Sequence, residues 1–387
     1  MDEEKRSSYP KVALIWPAFY FYHVARFQAL HRRLGERLLG IELVGGALED
    51  RGIRWQYLKR GDLPIVTLFP RSDIGDIAHK DLGASIINKL RDWGADAIFV
   101  NGYYTPEYRL VINWAHRHNK RCFIFSETKR NDYPRFFGKE WLKRRIIKRI
   151  DGAICGGRLH RDYLVELGLS PERILFGYDA VDNDFFRRMS SLARSDAEAN
   201  RRKYNLPQRY FFSACRFVKK KNLIRLLDAY KIYSGKAPAD STWSLVLCGA
   251  GPEENKLKRK VRIEGIKGVH FLGAAQPEEL AVYYALASCF ILASTQEQWG
   301  LVVNEAMASS LPVLVTNVAG AAGELVENGI NGYTFTSRDK GELAGLMLEI
   351  AGLDSARLRE MGAKSEEKIR VYTPQLFAES IIRLLSL

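Results

Sequence analysis

Short, continuously apolar runs alternate with longer segments of mixed polarity along most of the chain. Lys11–Trp16 (KVALIW) reads as a first buried strand, and Ala97–Val100, Cys122–Phe125, Ala153–Cys155 and Ile174–Phe176 repeat the pattern. Helical segments fall between them, such as Val24–Leu39 and Glu107–His118. Strands that lack polar alternation and are separated by helices are covered on both faces, which implies a parallel, doubly wound α/β sheet. The pattern stops over residues 187–209, which are polar, charged and without strand signal. They read as a surface helix plus linker, and the domain boundary is placed there. A second series follows: Tyr210–Ala214, Ser244–Leu247, Val269–Leu272, Cys289–Leu292 and Pro312–Val315 read as strands. Leu223–Tyr233, Pro277–Ala287 and Leu301–Ser309 read as helices between them. The expected organisation is an N-terminal Rossmann-like domain over residues 1–190 and a second over 205–372, facing an interdomain cleft with ligand at the carboxyl ends of the strands. Residues 373–387 form a last helix started by Thr373 and Pro374.

Length and composition agree with two sizeable cores. The chain has 387 residues, 47% hydrophobic and 27% charged, which excludes disorder and collagen-like repeats. The net charge of +14 favours acidic partners such as nucleotides, sugar diphosphates or anionic lipid. The N-terminal half is the more basic. Five scattered cysteines (Cys122, Cys155, Cys215, Cys248, Cys289) sit in or beside apolar runs and read as reduced thiols in a cytoplasmic protein. The polar N-terminus MDEEKRSSYP has no apolar core and does not read as a secretory signal. The longest uncharged stretch, Ala306–Gly323, is broken by Ser309, Ser310, Pro312, Asn317 and Gly320, so no membrane span is predicted.

The most informative stretch is Ser294–Gly323, STQEQWGLVVNEAMASSLPVLVTNVAGAAG. Glu297 lies in a polar turn after a strand, and Trp299-Gly300 open an apolar helix that carries Glu305. A strand–turn–helix unit aims the free N–H groups at the helix start out of the sheet edge, an anion site suited to a diphosphate. Two carboxylates beside an anion are repelled by it unless they accept hydrogen bonds from neutral hydroxyls, as on sugars and ribose. Taken singly, Glu297 also reads as an acid favoured by the helix dipole, and Glu305 as a solvated charge. The string from Glu297 to Val315 resembles the E-x7-E donor-site signature of the retaining glycosyltransferases of family 4, which have the GT-B fold. By that resemblance, Glu297 touches the donor sugar hydroxyls, Glu305 the ribose, and the backbone of Gly300, Leu301 and Val302 the diphosphate. Gln298 stands where the family often has Gly, and Trp299 where it usually has Phe.

Three further segments extend the resemblance. In Ser213–Asn222 (SACRFVKKKN), Arg216 and Lys221 (or Lys220) sit where the family neutralises the leaving diphosphate. Cations at a helix start are otherwise unfavourable. Gly249 and Gly251 resemble the Gly-rich turn near the nucleotide, although the third Gly of a dinucleotide fingerprint is missing. Leu272 and Gly273 resemble the strand whose backbone meets the base, and His270 there reads as a strand-filling residue. The N-terminal domain matches less closely. A Gly-rich loop is replaced by Trp16-Pro17-Ala18-Phe19-Tyr20-Phe21-Tyr22-His23, which is either an acceptor wall or core. Where the family often has a His, Ser126-Glu127-Thr128 makes Glu127 a candidate site residue of open role. Asp182-Asn183-Asp184 is formally D-x-D but lies at the interdomain connection and is discounted as a metal motif.

Residues 129–150 hold nine basic side chains against two acids, interleaved with Phe136, Phe137, Trp141, Leu142, Ile146 and Ile147. From Gly138 onward the spacing suits an amphipathic helix with Trp and Phe on its apolar side. It fits either peripheral contact with an anionic membrane or an ordinary helix packed on the sheet. The resemblance implies a hexosyltransferase that takes a UDP- or GDP-linked sugar to an acceptor glycan or lipid-linked glycan, with retention and no metal or cofactor; the net charge permits nucleic acid, but no nucleic-acid motif supports such a partner. It places the enzyme in the cytoplasm or at the inner face of the membrane, in polysaccharide or glycolipid assembly. It also implies that helix 373–387 crosses back over the N-terminal domain. The alternatives are a nucleotide-sugar epimerase or a non-catalytic nucleotide-sugar-binding protein of the same fold.

Overall fold

The computed structural model describes residues 8–45 and 61–387; the amino-terminal stretch read above lies, up to residue 7, outside the described residues. Two compact units divide the chain. The first holds residues 8–45, 61–181 and 372–387, and the second holds 182–371.

The first unit contains β1 (Val12–Trp16), α1 (Phe21–Leu34), β2 (Leu38–Val44), β3 (Ile65–Phe69), α2 (His79–Trp93), β4 (Ala97–Asn101), α3 (Pro106–Arg117), β5 (Arg121–Ser126), α4 (Phe137–Ile147), β6 (Gly152–Cys155), α5 (Arg158–Glu166) and β7 (Ile174–Phe176). Its seven strands are all parallel, in the order β3-β2-β1-β4-β5-β6-β7. The order reverses at β1/β4, the switch point of a doubly wound sheet. Alternation sorts β1 and β5 onto two cores. Val12, Leu14, Trp16, Phe123 and Phe125 pack under α1 and the C-terminal helix Pro374–Ser386. Ala13, Ile15, Cys122 and Ile124 pack on the opposite face with residues of α2, α3 and α5.

The second unit contains α6 (Asn183–Ser195), α7 (Ala197–Tyr204), β8 (Tyr210–Ala214), α8 (Leu223–Lys236), β9 (Ser244–Cys248), α9 (Glu254–Ile263), β10 (Val269–Gly273), α10 (Pro277–Leu286), β11 (Cys289–Leu292), α11 (Leu301–Ala308), β12 (Val313–Thr316), α12 (Ala322–Leu325), β13 (Gly332–Phe335), α13 (Lys340–Gly352) and α14 (Ser355–Ile369). Its six parallel strands run β10-β9-β8-β11-β12-β13.

Three sequence expectations are corrected. The helix read over Val24–Leu39 ends at Leu34, because Gly35 turns the chain at φ +56° and starts its return as strand β2. Residues 187–209 are mostly helical, in α6 and α7, rather than one helix and a linker. The unit boundary falls between Val181 and Asp182, earlier than residues 187–209, because α6 packs on α10 and α11 of the second unit.

The C-terminal helix is tied into the first unit by several contacts. The Arg121 guanidinium donates to the carbonyls of Leu384 and Leu385, and Ser380 Oγ donates to Phe176 O at 2.7 Å. Phe377 is fully buried, 5.5 Å from the Phe125 ring and 6.3 Å from Trp16. Phe377→Ala should therefore cost the first unit ~3–5 kcal/mol, the usual range for an aromatic cavity. Urea unfolding checks this, with Phe377→Leu as the milder comparison.

Candidate functional site

In the second unit the loops after β8, β9 and β10 are stitched together by main-chain hydrogen bonds. Cys215 N donates to Cys248 O (3.0 Å), Phe217 N to Ala250 O (2.8 Å) and Gly249 N to Gly273 O (2.7 Å). This closeness is what Gly249 and Gly251 serve. A Cβ on Gly249 would lie 1.9 Å from Cys215 O, and one on Gly251 2.6 Å from Phe217 O, both at positive φ. Gly273 ends β10 at φ +74°, just past a register shift that sets Leu272 out of the ladder. Arg216 is exposed on the loop so held.

Lys221 and Glu297 meet in this unit. They form an ion pair, each side chain 12% exposed, and Ser294 Oγ donates to the same Glu297 oxygen at 2.9 Å. Lys220 points its charge to solvent, and its carbonyl accepts from Thr295 N at 2.8 Å. Asn222, in the left-handed region at φ +58°, donates to Ala293 O (3.0 Å) and Ser337 O (2.8 Å), so the segment after β8 is fastened to the segment after β11. The Glu297 segment also bridges to Ala319, beside the Gly320 loop. Cys215 lies among these charges. Burial, with Glu297 adding to it, pushes its thiol up to about 12, so it is no thiolate nucleophile.

Gly300 opens α11 at φ +109°, where a Cβ would stand 2.9 Å from Leu292 Cδ2. The first-turn N–H groups at Gly300, Leu301 and Val302 therefore start at the edge where Glu297 lies, with no acidic side chain in that turn. Trp299 is buried and donates to Asn304 Oδ1 at 2.9 Å, a hydrogen bond a Phe could not make. One turn into α11, the Glu305 carboxylate accepts from Tyr284 OH at 2.9 Å. The side chain keeps some surface open, yet removal of its carboxylate from water pushes its pKa up to about 7, against the pull of that hydrogen bond. Cations, helix N–H groups and two carboxylates thus share one sheet edge. That set can hold a ligand with an anionic part and a neutral polyhydroxyl part.

The first unit gathers a separate cluster at the carboxyl ends of its strands. Glu127 follows β5, and it shares a hydrogen bond with Asp179, which follows β7 and is 1% exposed. Burial first, then the Glu127 charge and hydrogen bond, hold the Asp179 carboxyl well above the usual range, while Arg26 and Lys129 pull it down. Arg26 is itself buried. It donates to Ala180 O at 2.9 Å and lies 4.8 Å over the Tyr178 ring. Lys129 pairs with Asp132 at 2.6 Å. Of the aromatic run, Trp16 and Phe19 are core, whereas Tyr20 and Tyr22 stay half-buried. His23 stacks on Trp16 at 4.7 Å, and burial followed by Arg26 keeps it well below the usual histidine range. The loop after β1 is anchored by Glu42, which accepts from Phe19 N at 2.8 Å and Thr67 Oγ1 at 2.6 Å.

Other residues singled out in the sequence have local roles. Asp182 caps α6 by accepting from Phe185 N at 2.9 Å, and Asp184 pairs with Arg187 at 2.8 Å. His270 is a half-buried strand residue whose pKa burial lowers. Sequence reasoning missed Ser294, Asn222, Tyr284, Arg26 and Asp179 as neighbours of the predicted residues. Asn222 alone carried a signal, as an Asn next to a helix start, a type that tolerates positive φ.

Residues 196–368 match the model of the family described as glycosyl transferases group 1. Alpha-monoglucosyldiacylglycerol synthase of Streptococcus pneumoniae is 28% identical over 48% of this chain and 44% of that protein. Mannosylfructose-phosphate synthase of Agrobacterium fabrum is 26% identical over 62% of this chain and 57% of that protein. The chain thus spans about half the length of the curated relatives it matches. Among solved structures, Anabaena HepE in complex with UDP and glucose superposes with a TM-score of 0.75 at 17% identity, covering 97% of this chain and 99% of that one. A glycosyltransferase from Rickettsia africae gives 0.76 at 14% identity, covering 98% of each. These likenesses show the fold, the two-domain α/β architecture called GT-B.

The buried Asp179 makes a prediction whose sign can be worked out. Its folded pKa is raised, whereas the unfolded value is about 3.9. Below about pH 4 both states hold the proton and no cost arises. As pH rises above that, the unfolded chain releases its proton and folded Asp179 does not, so stability falls until the folded pKa is passed. Asp179→Asn cannot ionise. It should melt above wild type at pH 8 and with it at pH 4 in thermal unfolding, and an equal gain at both would contradict this account.

Proposed function

We propose that this protein is a retaining glycosyltransferase that moves a hexose-type sugar from a UDP- or GDP-linked donor to an acceptor hydroxyl on a glycan or lipid-linked glycan. The observation that carries the reading is the Lys221–Glu297 ion pair, set beside the N-terminal turn of α11 and the exposed Arg216. The match of residues 196–368 to group 1 glycosyl transferases supports it, as does the likeness to a protein solved with UDP and glucose.

In this reading the donor diphosphate lies on the N–H groups of Gly300, Leu301 and Val302, with Arg216 and Lys221 against its charge. An incoming diphosphate draws Lys221 away from Glu297. The freed carboxylate then accepts hydrogen bonds from the sugar hydroxyls and orients the ring. Glu305 accepts from the ribose, and the backbone at Leu272 and Gly273 lies near the base, with the Gly249–Gly251 turn beside it. As the bond from the anomeric carbon to the phosphate oxygen breaks, the acceptor oxygen bonds to that carbon from the same face. The acceptor proton passes to the departing phosphate oxygen. Arg216, Lys221 and the α11 N–H groups stabilise the charge that develops on the diphosphate. Glu127 belongs to the acceptor side, its carboxylate placed by Asp179. Residues 129–150 make peripheral contact with an anionic membrane at the inner face of the cell, where lipid-linked acceptors are found.

The test is a transfer assay paired with ligand-induced thermal shifts. UDP or GDP should raise the melting temperature with and without EDTA, since a ligand that binds only the folded state stabilises it. Arg216→Ala and Glu297→Ala should each lower kcat by ~100-fold or more while keeping the wild-type fold by circular dichroism. Near-wild-type turnover in both would remove the site assignment. Nucleotide-sugar isomerisation without an acceptor would instead identify an epimerase.

The raised pKa of Glu305 sets the pH dependence of donor binding. Above about pH 7 the carboxylate is ionised and accepts ribose hydrogen bonds strongly; below it the neutral acid accepts them weakly. Nucleotide affinity measured by calorimetry should fall several-fold between pH 8 and pH 6. Glu305→Gln should bind more weakly at pH 8 and show a flat profile.

A further inference from the structure

The face of α4 that points to solvent does not sort apolar from charged side chains. Phe137 is 90% exposed and Trp141 52%, and Arg144, Arg145 and Lys148 lie exposed on the same face. Only Ile146 and Ile147 of this helix enter the core. The sequence expectation of an apolar side carrying Trp and Phe is thereby corrected. The inner face carries Ile, and it also holds the half-buried Glu140, which pairs with Lys143 at 2.8 Å and accepts from Tyr163 OH at 2.8 Å. Polar needs on the inner side are met within the protein, and the aromatic rings are left outside with the cations.

Beside this face, between α3 and α4, lies a concave pocket of about 560 Å³. Lys80, Arg109, Arg145 and Arg149 line it, with Leu110 and Leu142 at its wall, and no carboxylate lines it among the described residues. Arg149 donates to Asn113 Oδ1, and the Arg145 guanidinium lies 4.7 Å over the Trp141 ring. Lys80, Arg109 and Arg145 have no ion-pair partner among the described residues, although ion pairs are common elsewhere on this surface. Four like charges around one concavity repel one another, and an anion seated among them reverses that cost. Leu110 and Leu142 are 40% and 41% exposed, so the pocket wall offers apolar surface beside its cations, and Arg145 links that wall to the Trp141 ring. A phosphate group joined to an apolar body fits both parts at once.

We infer that this pocket receives the phosphate of an anionic phospholipid headgroup while Phe137 and Trp141 enter the interfacial layer of the bilayer. The inference rests on the membrane contact proposed above and names its ligand. Aromatic rings at the headgroup level and cations against anionic lipid are the general chemistry of such contacts. The pocket adds a defined seat where a diffuse basic surface offers none.

Flotation of the full chain with phosphatidylcholine vesicles, with and without phosphatidylglycerol, tests this. Wild type should float only with the phosphatidylglycerol vesicles. The Arg109→Ala/Arg145→Ala variant removes two pocket charges, and Arg144→Ala/Lys148→Ala removes two outside it. At low salt both lose affinity, roughly thirtyfold for two surface cations. At ~1 M salt the screening length shrinks to about 3 Å, so the outside pair should then equal wild type while the pocket pair still loses roughly tenfold or more. Equal loss by the two variants at high salt overturns the pocket and leaves diffuse membrane contact standing. No flotation of wild type overturns both. A thermal shift with glycerol 3-phosphate that the pocket variant loses, without flotation of wild type, assigns the pocket to soluble phosphates and overturns the lipid seat. Arg109→Lys/Arg145→Lys keeps the charges and serves if the alanine variant misfolds. An unchanged thermal shift with UDP or GDP in every variant separates this outcome from the fate of the donor site.

Discussion

Parallel strands deliver every following loop to the same sheet edge, and in the second unit that crowding is the constraint on which the candidate site depends. The segment after β8 can lean on the turn after β9 only because Gly249 has no Cβ to meet Cys215 O at 1.9 Å. That contact fixes the course of Cys215–Val218, from which Arg216 projects. Asn222 then fastens the same segment to Ala293, just ahead of Glu297. Arg216, Lys221 and Glu297 are therefore placed by backbone contacts between neighbouring loops, and the strands beneath supply a rigid base. The glycines do not need to touch a ligand to matter. They set how closely the loops that hold the charges can approach.

One cation and one carboxylate of this edge balance each other directly. Lys221 is neutralised by Glu297, and Ser294 satisfies the remaining demand on that carboxylate oxygen. A pair this shielded from water is costly to split unless each partner gains another, since a lone half-buried charge loses solvation with nothing in return. A ligand with only an anionic part would satisfy Lys221 and strand Glu297. A ligand with only hydroxyls would do the reverse. Splitting the pair without that cost would take a molecule that carries both chemistries in one body. Arg216, held out in solvent, adds attraction for the anion without that penalty.

Much of this was legible in the sequence where the signal is local. The strands Tyr210–Ala214 and Cys289–Leu292 match their structural limits because they are short apolar runs closed off on both sides. Glu297 and Glu305 stand out because one turn and one helix carry both. What failed has a physical reason in each case. The start of strand β2 falls inside the helix read over Val24–Leu39 because Leu38 and Leu39 continue its apolar pattern, and the positive φ of Gly35 breaks it. Strands β3 and β13 sit at sheet edges, are only partly buried, and lack the continuous apolar run that marks a central strand. The Glu127–Asp179 pair joins residues after two different strands, and nothing in either stretch announces the other. Tyr284 reads as one more apolar position of α10 until its hydroxyl is seen to meet Glu305.

The two units solve the problem of buried charge differently, and the contrast follows from what surrounds each acid. In the first unit, Asp179 lies with Glu127, Arg26, Lys129 and Asp132 in a nearly closed cluster. Burial of Asp179, with the Glu127 charge and hydrogen bond beside it, outweighs the pull of the two cations and holds its carboxyl well above the usual range. In the second unit, Glu297 meets Lys221 directly. Glu305 lies between these cases. It has only a neutral phenol for a partner, so burial leaves its carboxylate near the point of protonation at neutral pH. An acid so placed is the one whose charge state a neighbouring hydroxyl or cation can most readily change.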